Sequence, residues 1–225
     1  MTQFPEAKTG VRFEVVPLTI IFEESAAFKD TYGGAVGIVA LQGKHFRPDT
    51  TSDTVLISMH PIGGTGNLPV MKQFARQGVH IIAADSRYRG VDNALIMEKV
   101  ATDLGAVVRH AKEKLGYANV ILLGWSGGGS LSAFYQAQAE APTVTGAPAG
   151  GGPDLTKADL IPADGVVFMA AHVSRHGTLT EWIDASIIDE TRPYDRGPDL
   201  DIYSGEHGPP FSAEFLGCGL ITATR

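Results

Sequence analysis

Four short runs, Thr54–Met59, Val79–Ala84, Asn119–Leu123 and Gly165–Ala171, are apolar almost without interruption. A strand with one wet face alternates polar and apolar residues, whereas a strand buried on both faces does not. The runs therefore predict parallel strands inside a sheet covered on both sides. Helical patterns separate them. One spans 68–77 and stops at Gly78; another spans 94–115, with Ile96, Val100, Leu104, Val108, Ala111 and Leu115 at helical spacing, and stops at Gly116; a third covers 130–139. Such alternation implies right-handed crossovers and an α/β architecture. Two earlier runs, Val15–Phe22 and Ala35–Leu41, predict strands joined near Gly33-Gly34, and Pro17, which cannot donate to a ladder, places the first at an edge. Their antiparallel start makes the sheet mixed.

The strand at 119–123 runs into Gly124-Trp125-Ser126-Gly127-Gly128, and a helical pattern follows. A nucleophilic serine needs a sharp exposed turn with small neighbours, and a helix N-terminus favours negative charge developing beside it. Ser126 is accordingly the expected nucleophile, against the alternative of a serine that merely caps the helix. Acyl transfer also needs two donors for a tetrahedral oxyanion. Gly127, the residue after the nucleophile, supplies one expected donor. The second is expected from Ile62 or Gly63, in the loop His60-Pro61-Ile62-Gly63-Gly64-Thr65-Gly66 that leaves the first apolar strand. His60 sits on that donor loop and is read as ordering it rather than as a general base.

These segments resemble the α/β-hydrolase family between the strand at 35–41 and the strand at 165–171. His60-Pro61-Ile62-Gly63-Gly64 is similar to the family's His-Gly-x-Gly loop, with Pro61 replacing a glycine, and Asp85-Ser86-Arg87-Tyr88-Arg89-Gly90 is similar to its Asp-x-Arg-Gly loop. Gly124–Gly128 matches its nucleophile elbow. Taken alone, the Asp85 loop reads as a structural turn. The resemblance implies a mostly parallel mixed sheet with helices on both faces, a serine esterase-like activity, and an order of nucleophile, acid, then histidine. The acid should follow the sixth or seventh strand and the histidine the eighth. The run at 165–171 corresponds to the sixth, and no convincing buried strand is legible beyond it; Leu200–Tyr203 is too short and too polar. The expectation is a fold truncated after the sixth strand, with 172–225 as a partial lid or C-terminal segment. His172 and His176 come too early for the family's base, and His207 is correctly ordered but follows no strand. Asp184, Asp189, Glu190 and Asp195 read as a solvated helix and its exit, with no one of them singled out as the acid. The start of a helix at 211–216 is expected to break at Gly217 and Gly219.

Length and charge bound the remaining possibilities. A chain of 225 residues suits one domain, 1–225, in which the Ala-, Pro- and Gly-rich stretch 140–164 is a flexible excursion loop. A formal charge of −7 without clustered Lys or Arg argues against nucleic acid and anionic membranes as partners. The first residues lack a signal-peptide pattern, and no stretch nears the roughly 20 apolar residues of a membrane span. Cys218 stands alone, which excludes paired-cysteine zinc clusters. Together these point to a cytoplasmic protein without cofactor or metal, and the small acyl substrate is what the resemblance implies. An unpaired sheet edge would leave room for a homo-oligomer. A non-catalytic hydrolase-like binding module is the competing reading. A nucleotide-binding protein is third, because Gly63-Gly64-Thr65-Gly66 fits no phosphate-binding motif.

Overall fold

Side chains alternate across strand β4 (Ile81–Asp85): Ile82 and Ala84 enter one hydrophobic cluster, Ile81 and Ala83 another. That split is what a strand covered on both faces requires. A computed structural model of the chain describes residues 10–24, 37–90, 95–148, 150–172, 174, 177–178, 184–189, 191–192, 194–205 and 207–222. The chain divides into two compact units, Met1–His172 and Val173–Arg225.

The first unit holds a six-stranded sheet in the order β1-β2-β4-β3-β5-β6. The other strands are β1 (Phe13–Glu23), β2 (Ile38–Pro48), β3 (Thr54–His60), β5 (Asn119–Ser126) and β6 (Gly165–Ala171). β1 pairs antiparallel with β2, and β2 antiparallel with β4; β4, β3, β5 and β6 run parallel. Helices α2 (Met97–Glu113) and α3 (Gly127–Glu140) pack on one face, where Val100, Leu104, Val108, Leu131 and Tyr135 meet Val55, Ile57, Val120 and Leu122. Helix α1 (Pro69–Arg76) covers the other face, setting Met71 and Ala75 against Phe46, Ile81 and Leu123. Each fully buried aliphatic side chain contributes about 1.5–3 kcal/mol of transfer free energy, so the two faces of the central strands hold the unit together.

Three sequence expectations change. Of the expected strand 35–41, β2 holds Ile38–Leu41 and runs on to Pro48, because its polar second half pairs with β1 on one side and β4 on the other; residues 35–36 and the Gly33-Gly34 turn lie outside the described residues. β6 is not buried on both faces: Val167 and Phe168 are 46% and 59% exposed, as befits the last strand in the sheet order. The C-terminal helix, α4 (Ala213–Thr222), does not break at its glycines. Gly costs only about 1 kcal/mol in a helix, which weakens a helix without forbidding it.

The 140–164 connection is irregular apart from a 3₁₀ turn at Leu155–Lys157, and α3 ties it down. Gln138 Oε1 accepts the amides of Thr143 and Val144, the Tyr135 hydroxyl donates to Ile161 O at 2.7 Å, and the Gln136 side chain both donates to and accepts from the Ala163 backbone. Leu155 and Ala163, both within this stretch, are buried in the core.

A polar cluster lies inside the sheet near β2 and the start of β4. The buried rings of His45 and His80 both meet the Tyr117 hydroxyl, at 2.8 and 2.6 Å, and His80 Nε2 lies 2.8 Å from Thr50 O. A carbonyl can only accept, so His80 Nε2 carries a proton. With neutral imidazoles, His45 then donates to Tyr117 and Tyr117 to His80 Nδ1.

In the second unit, Asp184 accepts from the Ser186 amide and hydroxyl and pairs with Arg196, while Ile187 and Arg196 form an isolated bridge. Phe211 and His207 each stack on Phe215 of α4. Among the described residues, no helix is long and apolar enough to cross a membrane, and no group of three His, Cys, Asp or Glu could hold a metal ion.

Candidate active site

Ser126 closes β5 and precedes the first turn of α3 with φ 52° and ψ −126°, a conformation that L-residues rarely adopt. Its side chain makes no capping hydrogen bond to the helix. The serine is therefore held in a strained turn, and its hydroxyl is not committed to capping. Strain of this kind costs on the order of 1–3 kcal/mol and persists only where the surroundings over-determine it.

The surroundings here are glycines with no room for a side chain. A β-carbon on Gly124 would lie 2.7 Å from Gly129 Cα, one on Gly128 would lie 2.5 Å from Met59 O, and one on Gly129 would lie 2.3 Å from Ala171 Cβ. The elbow is thus wedged between the C-terminal ends of β3 and β6. The β5–β6 register shifts between Trp125 and Ser126, with Ala170 at φ 46° as the extra residue. Beyond that irregularity the His172 amide donates to Ser126 O at 2.9 Å. His172, expected to come too early for the family's base, owes its position beside the elbow to the bulge. The third consecutive glycine, Gly129, is the sequence signal that another strand approaches there.

β3 lies next to β5, so the loop leaving β3 adjoins the elbow. The His60 ring packs against Trp125, centroids 5.9 Å apart, and His60 Nδ1 lies 3.3 Å from the Ile62 amide. Gly63, at φ 80°, donates its amide to His60 O at 2.9 Å, and Gly64 donates to Asp85 Oδ1 at 2.7 Å. Of the two amides named from sequence, that of Gly63 is committed to a turn and that of Ile62 holds only a long contact. Gly127 is the first residue of α3, where helix amides have no intrahelical acceptor and the helix dipole is positive.

The remaining sequence candidates belong to the second unit. His207 stacks on Phe215 in the second unit, Asp189 accepts from Thr191, and Asp195 pairs with Arg192. Asp184 and its neighbours form turns rather than the expected helical face. His176 and Glu190 lie outside the described residues.

A mostly parallel sheet with a strained serine on the strand-to-helix turn of β5, beside a glycine loop at the end of β3, is an α/β-hydrolase fold. No family model matches the chain, and no curated protein matches it by sequence. Three solved structures aligned with it are α/β-hydrolases, esterases or lipases by name. Brefeldin A esterase, described as a bacterial homologue of human hormone-sensitive lipase, is 16% identical over 99% of this chain and 54% of its own, with a TM-score of 0.46. Lipase A of Candida antarctica in its closed state is 13% identical over 78% of this chain and 42% of its own, with a TM-score of 0.48. A peroxisomal α/β-hydrolase of Saccharomyces cerevisiae is 12% identical over 72% and 46%, with a TM-score of 0.47. The chain spans about half the length of each.

Proposed function

We propose that this protein is a serine hydrolase that cleaves an ester, thioester or amide through an acyl-enzyme at Ser126. The backbone of Ser126 carries the proposal, because a serine at φ 52° whose hydroxyl does not cap the helix that follows is a costly arrangement for a merely structural residue. In the proposed reaction Ser126 Oγ bonds to the substrate carbonyl carbon and its proton passes to a base. The alcohol, thiol or amine then leaves, and water cleaves the resulting ester to restore the serine. The Gly127 amide and, from the β3 loop, the Ile62 amide would hold the oxyanion; Ile62 is favoured over Gly63 because its 3.3 Å contact to His60 Nδ1 is easily exchanged for a stronger one. The test is fluorophosphonate labelling of the whole chain. One label on the peptide containing Ser126, abolished in Ser126→Ala, supports the proposal; no label, or a label that survives the substitution, refutes it.

One observation favours a non-catalytic, ligand-binding module instead: the amides of Ile62, Gly63 and Gly64 all point to acceptors within the protein. That reading expects no turnover of p-nitrophenyl esters by folded protein.

A further inference from the structure

The loop after β4 grips the loop after β3 at three residues, Pro61, Ile62 and Gly64. Ser86 Oγ donates to Pro61 O, the Gly90 amide donates to Ile62 O at 3.0 Å, and Asp85 Oδ1 accepts the Gly64 amide at 2.7 Å. Asp85 and Ser86 are both buried, and Asp85 Oδ2 pairs with Arg89 at 3.0 Å. The contact is so close that a β-carbon on Gly63 would stand 3.2 Å from Asp85 Oδ1 and 3.3 Å from Arg89 Cα. The gripping loop is itself fixed. The Arg87 guanidinium reaches Asp103 of α2 at 2.8 and 3.0 Å and Glu24 after β1 at 2.9 Å, and the Arg87 amide donates to Asp103 Oδ2 at 2.8 Å.

A trans peptide is planar, so its C=O and N–H point in opposite directions. Holding the carbonyls of Pro61 and Ile62 toward the β4 loop therefore turns the amides of Ile62 and Gly63 away from it. In the sheet order β4-β3-β5, away from β4 means toward the β5 side, where Ser126 stands. We infer that Ser86 and Asp85 are positioning residues that set the direction of the donor-loop peptides and so determine which amides can meet the oxyanion. This rests on the serine-hydrolase reading for its consequence in catalysis, but not for the orientation itself. Neither residue touches the reacting atoms. Each acts through the backbone of residues 61–64.

The experiment compares the full chain with Ser86→Ala and with Ser86→Thr, which keeps the hydroxyl. Steady-state kinetics use p-nitrophenyl acetate, and amide hydrogen exchange is read at residues 61–66. Ser86→Ala should lower kcat about tenfold to a hundredfold with KM within about twofold, somewhat less than the loss of a whole oxyanion donor. Ser86→Thr should recover most of that loss. Exchange at Ile62, Gly63 and Gly64 should rise about tenfold or more in Ser86→Ala, while that of Val55–Met59 stays unchanged. Unchanged exchange at 62–64 overturns the inference, as does a kcat equal to that of wild type in an active enzyme. If wild type proves inactive and unlabelled, the hydrolase reading fails, and the exchange comparison still decides the positioning on its own. Should Ser86→Ala not fold, Asp85→Asn, which weakens the acceptor for Gly64, is read in the same way.

Discussion

The Met59 carbonyl oxygen stands 2.5 Å from the point where Gly128 would carry a β-carbon. Met59 is strand backbone with both neighbours paired, so it has little freedom to yield. Gly128→Ala should therefore destabilise the protein by about 1–3 kcal/mol, as overpacking does elsewhere. Urea unfolding of the purified variant measures it, and a cost below about 0.5 kcal/mol would show that β3 and the elbow can separate freely.

Replacing Ser126 should act in the opposite direction. Ser126→Gly removes the side-chain clash behind φ 52° and should raise stability by about 1 kcal/mol, whereas Ser126→Ala keeps the clash and should be close to neutral. Comparing the two by chemical denaturation separates backbone strain from loss of the hydroxyl.

Much of this is legible in the residue pattern alone. The continuous apolar runs of β3, β4, β5 and β6 lie within three residues of their observed ends, and for β3, β4 and β5 burial is what leaves that signature in residue type. The second half of β2 is not legible, because Gln42, Lys44, His45 and Arg47 carry no apolar run and their place between β1 and β4 has no sequence signal. The first turn of α3 hid behind Gly127, Gly128 and Gly129, whose low helix propensity gives way to packing against Met59 and Ala171. The elbow itself was plain, since its glycines are steric requirements. The grip of Asp85 and Ser86 on the donor loop was not, because it joins residues more than 20 positions apart through backbone atoms that carry no sequence signal.

His45 makes stability depend on acid. Burial, with a further push from His80 and Arg47 that outweighs the opposing Glu14, lowers its pKa from 6.5 to about 4. The unfolded chain therefore binds this proton more readily than the folded one, and stability should fall as pH drops from about 6.5 to about 4. His45→Gln, which can still donate to Tyr117, should flatten that part of the curve. Urea midpoints at several pH values for both proteins check the difference.

Arg87→Met should leave the fully buried Asp103 carboxylate without its cation, at a cost of about 3–5 kcal/mol near pH 8. Burial already pushes the Asp103 carboxyl above its ordinary range, and removing the guanidinium pushes it further. Protonation then relieves the buried charge, so the cost should be smaller at pH 5 than at pH 8. Equal cost at both would contradict this account.

The sheet order also constrains how the chain can assemble as it is made. β4 lies between β2 and β3, so the hairpin of β1 and β2 has no place beside β3 until residue 85 is in hand. During synthesis two fragments, one two-stranded and one single-stranded, must wait side by side for the segment that joins them. The gap they hold open admits one strand, and an interloper from another chain could fill it first.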